Sequence, residues 1–214
     1  EASYLDYFNS FDIHLFPVPN VGIESLHAYL NILSKSQGLI LSGGNDVYPS
    51  AYEGEVVQND SYSKIRNETE QGLLNFAVTN QIPVLGICRG MQFINVYFGG
   101  QLITNLQKQT GEIHYEGRTH ALRVIHRETS EYISTNHWEM KSYHRQGVTK
   151  SVLAPPLKSF LTSDDVDVVE GLFHPRYPIA GFQFHPERAS NIPVGAEKLI
   201  TAFLNKKHFW RNKR

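Results

Sequence analysis

The run Pro83-Val84-Leu85-Gly86-Ile87-Cys88-Arg89-Gly90 restricts this chain more than any other segment. Its first five residues are continuously apolar, as in a strand covered on both faces rather than one with a wet side. The amphipathic stretch 91–98 follows and Gly99-Gly100 ends it, so the spacing predicts strand, sharp turn and helix. The same alternation recurs upstream. Residues 38–42 form a short apolar strand broken by Gly43-Gly44-Asn45-Asp46. Residues 23–33 carry a helical stripe at Ile23, Leu26, Tyr29, Leu30 and Leu33, and 68–80 carry one at Leu73, Leu74, Phe76, Ala77 and Val78. Residues 12–17 read as a further strand ending at Pro17. The second half is richer in strand: 122–125 and 166–173 alternate, 179–184 is a third strand, and 194–204 is a closing amphipathic helix. The stretches 59–64 and 107–118 read as loops. This pattern predicts an α/β fold with a mostly parallel sheet flanked by helices. No internal repeat or linker interrupts the 214 residues, so one domain spanning 1–214 is expected.

Charge and cysteine content narrow the function. Twenty Lys and Arg against 21 Asp and Glu leave a net charge of −1, without the basic excess of a nucleic-acid binder. No apolar run approaches the roughly 18–20 residues of a membrane span. The chain opens Glu1-Ala2-Ser3 with no basic and apolar leader, and its basic tail 206–214 reads as a solvated helix end. A cytoplasmic location is expected. The one cysteine, Cys88, excludes an internal disulfide framework and a cysteine-rich zinc site. It is either an inert core residue or the chemistry itself.

Its surroundings favour chemistry. In Gly86-Ile87-Cys88-Arg89-Gly90 the cysteine sits between a buried strand and a helix, the thiol version of a nucleophile elbow. Flanking glycines spare such a turn the clash of a Cβ, and the following helix N-terminus favours thiolate. The backbone N–H of Arg89 is then a candidate oxyanion donor, and the Gly43-Gly44 turn at another strand end offers a second. A thiolate nucleophile works with a base, and among ten histidines His185 stands out. It ends the apolar run Gly181-Phe182-Gln183-Phe184, and Glu187 follows two residues on, placed to orient its ring. His114, His120, His126, His137 and His144 show no HxxxH-type spacing with acidic partners and read as loop, surface or substrate-binding residues. No metal and no cofactor is called for.

Together, Ser42-Gly43-Gly44-Asn45-Asp46-Val47, Gly86-Ile87-Cys88-Arg89-Gly90-Met91-Gln92, Asn95-Val96-Tyr97-Phe98-Gly99-Gly100 and Phe184-His185-Pro186-Glu187 resemble the class I glutamine amidotransferases. With Arg66-Asn67-Glu68-Thr69-Glu70 and Ser142-Tyr143-His144-Arg145-Gln146-Gly147 they resemble more closely the free-standing gamma-glutamyl hydrolase branch, of the gamma-glutamyl-gamma-aminobutyrate hydrolase type. The resemblance covers about 11–204. It implies that family's flavodoxin-like fold and a Cys88-His185-Glu187 triad that hydrolyses glutamine or a gamma-glutamyl amide through a thioester. It further implies oxyanion donors at Gly44 and Arg89 and substrate contacts from Gly43, Asn45, Asp46, Gln92, Ser142, Tyr143 and His144. The family opens with a strand before its first helix; residues 1–10 do not read as one, so that strand is expected to be missing from this chain. Arg89 fits the hydrolase branch. The partner expected is a small gamma-glutamyl amide or glutamine, not nucleic acid or a membrane, with a homodimer left open. The loops 48–64 and 107–118 are expected to shape the amine pocket, where Lys64, Arg66, Lys108 and Arg118 leave room for an anionic group. Two other readings stand beside this one: a glutaminase subunit feeding ammonia to a synthetase, and a silent binding or redox module on the same scaffold.

Overall fold

The computed structural model describes residues 2–52, 62–115, 117–126, 129, 137–164, 166–188, 193–207 and 209. Among these, helices α1 (Ala2–Asn9) and α2 (His27–Lys35) precede strand β1 (Leu39–Leu41). Helix α3 (Lys64–Thr79), strand β2 (Val84–Ile87) and helices α4 (Arg89–Tyr97) and α5 (Leu106–Thr110) follow. Strands β3 (Arg118–Val124), β4 (His137–Ser142), β5 (Lys158–Ser163), β6 (Val169–Phe173) and β7 (Ile179–Phe182) and helix α6 (Val194–Leu204) complete the order.

The seven strands form one sheet in the order β1-β2-β7-β6-β5-β3-β4. β1, β2 and β7 pair in parallel, and the other four pairings are antiparallel. The parallel part is thus narrower than the apolar runs suggested. The reason lies in β6: it is buried along its whole length yet runs antiparallel to both neighbours, so apolarity on both faces reports cover and not direction. The period of two places successive residues in opposite cores. Val84 and Ile179 pack with Leu33, Leu74 and Ile94 of α2, α3 and α4 on one face. Leu85, Ala180 and Phe182 pack with Phe8 of α1 and Leu199 and Phe203 of α6 on the other. Helices therefore cover both faces.

Several expectations change. Residues 12–17 form no strand: Ile13 and Leu15 are half-buried and His14 and Phe16 exposed, so the alternation sets which face points inward without supplying a pairing partner. Residues 2–9, which did not read as a strand, form α1. The stretch 107–118 is not loop throughout. Asn105 caps α5 by accepting from Lys108 N, and Gly111 closes that helix in the left-handed conformation. Strands β4 and β5 escaped the reading. Residues 53–61, 116, 208 and 210–214, parts of the expected loops and tail, lie outside the described residues.

Candidate active site

Strands β1, β2 and β7 end side by side, and their C-terminal ends carry the residues singled out above. At the end of β2 the chain turns into α4 through Cys88, whose backbone sits at φ 52°, ψ −108°. Its N–H donates to Phe182 O at 2.7 Å, extending the β2–β7 ladder by one residue, and its carbonyl accepts from Gln92 N. A sharp turn of this kind lets α4 pack tightly on β1. A Cβ at Gly90 would stand 2.0 Å from the Leu41 carbonyl oxygen, so the glycine after the cysteine is a steric requirement.

Cys88 is buried, and two side chains meet it while a third orients one of them. Gln183 Nε2 donates to its Sγ at 3.5 Å. His185, just beyond β7, is hydrogen-bonded to it and donates from Nδ1 to Glu187 Oε1 at 2.6 Å. Glu187 lies on the short 3-10 turn Pro186–Arg188, and its side chain is fully buried. Burial alone would lower the His185 pKa. The hydrogen bonds to Cys88 and Glu187 and their charges outweigh it and hold the ring up at about 9, so the imidazole is protonated at neutral pH. Tyr4 of α1 closes the back of this group. Its Oη accepts from Gly43 N at 2.9 Å. Burial first, then the neighbouring Glu187 carboxylate, keep its phenol protonated far above the ordinary range.

The Gly43-Gly44 turn at the end of β1 is pinned by a buried cation. Arg66 Nη2 donates to Ser42 O at 2.7 Å and to Gly43 O at 3.1 Å. Carbonyl and N–H of one trans peptide point in opposite directions, so fixing Gly43 O turns the Gly44 N–H away from Arg66. Gly43 has no room for a side chain: a Cβ there would lie 2.5 Å from His185 Cε1. Arg66 is itself held by Glu70 at 2.8 Å, and Glu70 also binds Arg89. The Arg89 side chain, 1% exposed, continues to Asn67 and lies over the Phe93 ring, so only its backbone faces the elbow.

Other singled-out residues divide. Gln92, one turn after Cys88, donates to Gln146 O at 2.9 Å and Gln183 Oε1 at 3.1 Å, tying α4 to the far side of the site. Ser142, Tyr143 and His144 alternate. Tyr143 is partly exposed, 6.0 Å from the His185 ring and under the Arg188 guanidinium. Ser142 and His144 turn the other way, to His120 Nδ1 and to Gln146 O and Glu170. Asn45 and Asp46 follow the glycine turn; Asp46 forms a bridge with Tyr62 and its charge is felt by Arg89. Of the cations expected to serve an anionic group, Arg66 is committed to the turn, while Lys64, Lys108 and Arg118 are exposed. A cavity of about 220 Å³ opens beside α5, lined by Gln107, His114, Tyr115, His144 and Arg145. The reading assigned no part to Tyr4, Glu70, Gln146, Gln183 or Glu170. Glu70 carried a local sign, its spacing of four from Arg66 on a helix, and the others are brought in by strand pairing and by α1.

The profile of the peptidase C26 family matches residues 4–187. A Schizosaccharomyces pombe protein provisionally named as a glutamine amidotransferase, PB2B2.05, is 34% identical over 177 residues, covering 79% of this chain and 69% of that protein. The glutamine amidotransferase-like protein YvdE of Lactococcus lactis is 26% identical over 211 residues, 95% of this chain and 86% of that one. Among solved structures, the glutaminase domain of Trypanosoma brucei CTPS with bound acivicin superposes with a TM-score of 0.69 at 16% identity, over 96% of this chain and 88% of that one. The fold is that of the class I glutamine amidotransferases.

Proposed function

This chain belongs to the peptidase C26 family, and we propose that it is a cysteine-dependent hydrolase of gamma-glutamyl amides of the free-standing branch. One observation carries the reading: a buried thiol on a positive-φ strand-to-helix turn sits against a histidine whose Nδ1 donates to a buried glutamate at 2.6 Å. The same three residue types and roles define hydrolysis by a Cys-His-acid set.

The chemistry then runs as follows. The substrate's gamma-carbonyl lies against Cys88, with its oxygen between the N–H groups of Gly44 and Arg89. The thiolate attacks the carbonyl carbon, and the oxyanion is held by those two donors. His185 gives its proton to the departing amine, which leaves Cys88 as a glutamyl thioester. Water enters, His185 takes a proton from it, and hydroxide attacks the thioester carbonyl. Glutamate leaves and the thiol returns. Glu187 keeps Nδ1–H of His185 occupied, so that Nε2 is the nitrogen that moves protons. Gln183 stabilises the thiolate before attack. Tyr143, beside His185 and open to solvent, is the edge against which the glutamyl group seats.

Incubating the purified chain with glutamine and a panel of gamma-glutamyl amides, with Cys88→Ser as the blank, tests this by released glutamate. At least one gamma-glutamyl amide is turned over faster than glutamine, and the serine variant is silent. No release from any amide, while a thiol probe still labels Cys88, would remove the assignment.

A further inference from the structure

Away from Cys88, three histidines from three separate segments stand around one carboxylate oxygen of Glu170. His114 precedes β3, His120 lies on β3, His144 follows β4 and Glu170 lies on β6. His114 Nδ1, His120 Nε2 and His144 Nε2 lie 3.6, 3.3 and 3.8 Å from Glu170 Oε1. Glu170 is fully buried, and His114 and His144 nearly so. Among the described residues, His114 Nδ1, His144 Nε2 and Glu170 Oε2 have no hydrogen-bond partner. We propose that His114, His120 and Glu170 hold one divalent transition-metal ion of the zinc class, with His144 standing beside them.

The hydrogen bonds around the cluster argue for a cation at its centre. His144 Nδ1 stands 2.9 Å from the Gln146 carbonyl oxygen, which only accepts, so Nδ1 carries the proton. In the neutral ring, Nε2 then aims a lone pair at a carboxylate oxygen, a contact between two acceptors. Protonating Nε2 would give an ion pair, but one too long at 3.8 Å to be a hydrogen bond. A cation bound by Glu170 removes that repulsion. The spacing agrees. Ligand atoms about 2.0–2.1 Å from a tetrahedral zinc stand roughly 3.3–3.4 Å apart; His120 Nε2 stands at 3.3 Å and His114 Nδ1 at 3.6 Å from Glu170 Oε1, and the ligand atoms of the three residues all lie within 4.8 Å of one another. The orienting contact that metal ligands use is present for His120, whose Nδ1 meets Ser142 Oγ at 2.8 Å.

Two imidazoles and one carboxylate, with no thiolate, suit zinc and its neighbours better than calcium or magnesium. Three protein ligands leave the fourth position of the shell for water. The 220 Å³ cavity, lined by His114 and His144, gives the ion a way in. Glu170 O accepts from Gln183 N, and Gln183 touches Cys88, so the ion would brace the wall behind the thiol. The step-by-step hydrolysis needs nothing from it, and the site does not rest on that reading.

The test is metal content, not turnover. Protein purified from zinc-supplemented medium, desalted and weighed by elemental analysis, is expected to hold close to one zinc per chain. The chelator-stripped chain titrated with Co²⁺ is expected to show the visible bands of a four-coordinate ion saturating at one equivalent. Glu170→Gln and His114→Ala each lower Co²⁺ affinity by more than about 100-fold, and the exposed His27→Ala leaves it unchanged. X-ray absorption on the zinc-loaded wild type, which does not depend on a variant folding, is expected to read about two imidazoles and two further light ligands. Failure of the wild type to take up either metal, a six-coordinate spectrum, or wild-type affinity in a folded Glu170→Gln protein each overturns the proposal.

Discussion

Replacing Gly90 by alanine puts a methyl carbon 2.0 Å from the Leu41 carbonyl oxygen and 2.8 Å from Leu41 Cβ. Carbon and carbonyl oxygen settle no closer than 3.0 Å, so α4 and β1 must separate by about 1 Å along that line. Neither side yields easily. The carbonyl belongs to the backbone of β1, and the helix is anchored at Cys88 O and Gln92 N. Overpacking of this kind costs about 1–3 kcal/mol. For a chain of this size that lowers Tm by about 2–12 °C. The functional cost is separable from the loss of stability. Cys88 begins α4 and Gly43-Gly44 ends β1, so the same 1 Å opens the distance between thiol and turn. A misplacement of that size at a reacting centre costs about 10²-fold in rate. Calorimetry gives the first quantity and kcat/KM on the best gamma-glutamyl amide, at a temperature where the variant is fully folded, gives the second. Gly195→Ala, which meets only the Trp138 side chain at 2.9 Å, controls for added bulk away from the thiol. A Gly90→Ala protein with wild-type Tm and turnover within twofold would refute the claim that this contact positions the elbow.

Two further outcomes follow from the site's charges. His185 has a folded pKa of about 9, above the roughly 6.5 of an unfolded histidine, so its contribution to stability is complete below about 6.5 and gone once the pH passes about 9. The alkaline limb of kcat/KM is expected near pH 9, and Glu187→Gln, which removes one of the contacts that raise the pKa, moves that limb toward neutrality; a limb that stays in place assigns it to another group. Arg66→Met frees the Ser42 and Gly43 carbonyls while Glu70 keeps Arg89, so stability falls by about 1–3 kcal/mol. If the turn supplies an oxyanion donor, kcat drops by about 10²–10³-fold while the rate of Cys88 alkylation stays near wild type; unchanged turnover would mean that the turn holds itself.

The thiol and its neighbours were legible because their information is local. Gly86 and Gly90 flank Cys88 in sequence, and His185 and Glu187 are two residues apart, so spacing alone brings the last pair to 2.6 Å. Strand β4 was equally local and went unread: Trp138, Met140 and Ser142 are buried and Glu139 and Lys141 exposed, a period of two hidden in a charged stretch without an apolar run. Residues 12–17 failed in the opposite sense, since alternation without a pairing edge builds no ladder. The histidine cluster had no local sign at all. Its members are 6, 24 and 26 positions apart along the chain, and antiparallel pairing through β4, β3, β5 and β6 closes those gaps. The scan for HxxxH spacing looks for ligands on one helix and misses ligands spread over a sheet. Arg89 illustrates the same limit: its backbone role is read from the elbow, whereas the Glu70 it binds lies 19 residues away on another helix.

At φ 52°, ψ −108°, Cys88 occupies backbone space that suits glycine, at a cost of about 1–3 kcal/mol for a side chain held there. A chain shaped for stability alone would carry glycine at position 88 and lose its only thiol. The elbow therefore sets durability against reactivity at a single residue. Selection schemes that score expression or heat resistance without turnover would drift toward emptying this site, and a more robust variant obtained in that way is one whose position 88 should be sequenced first.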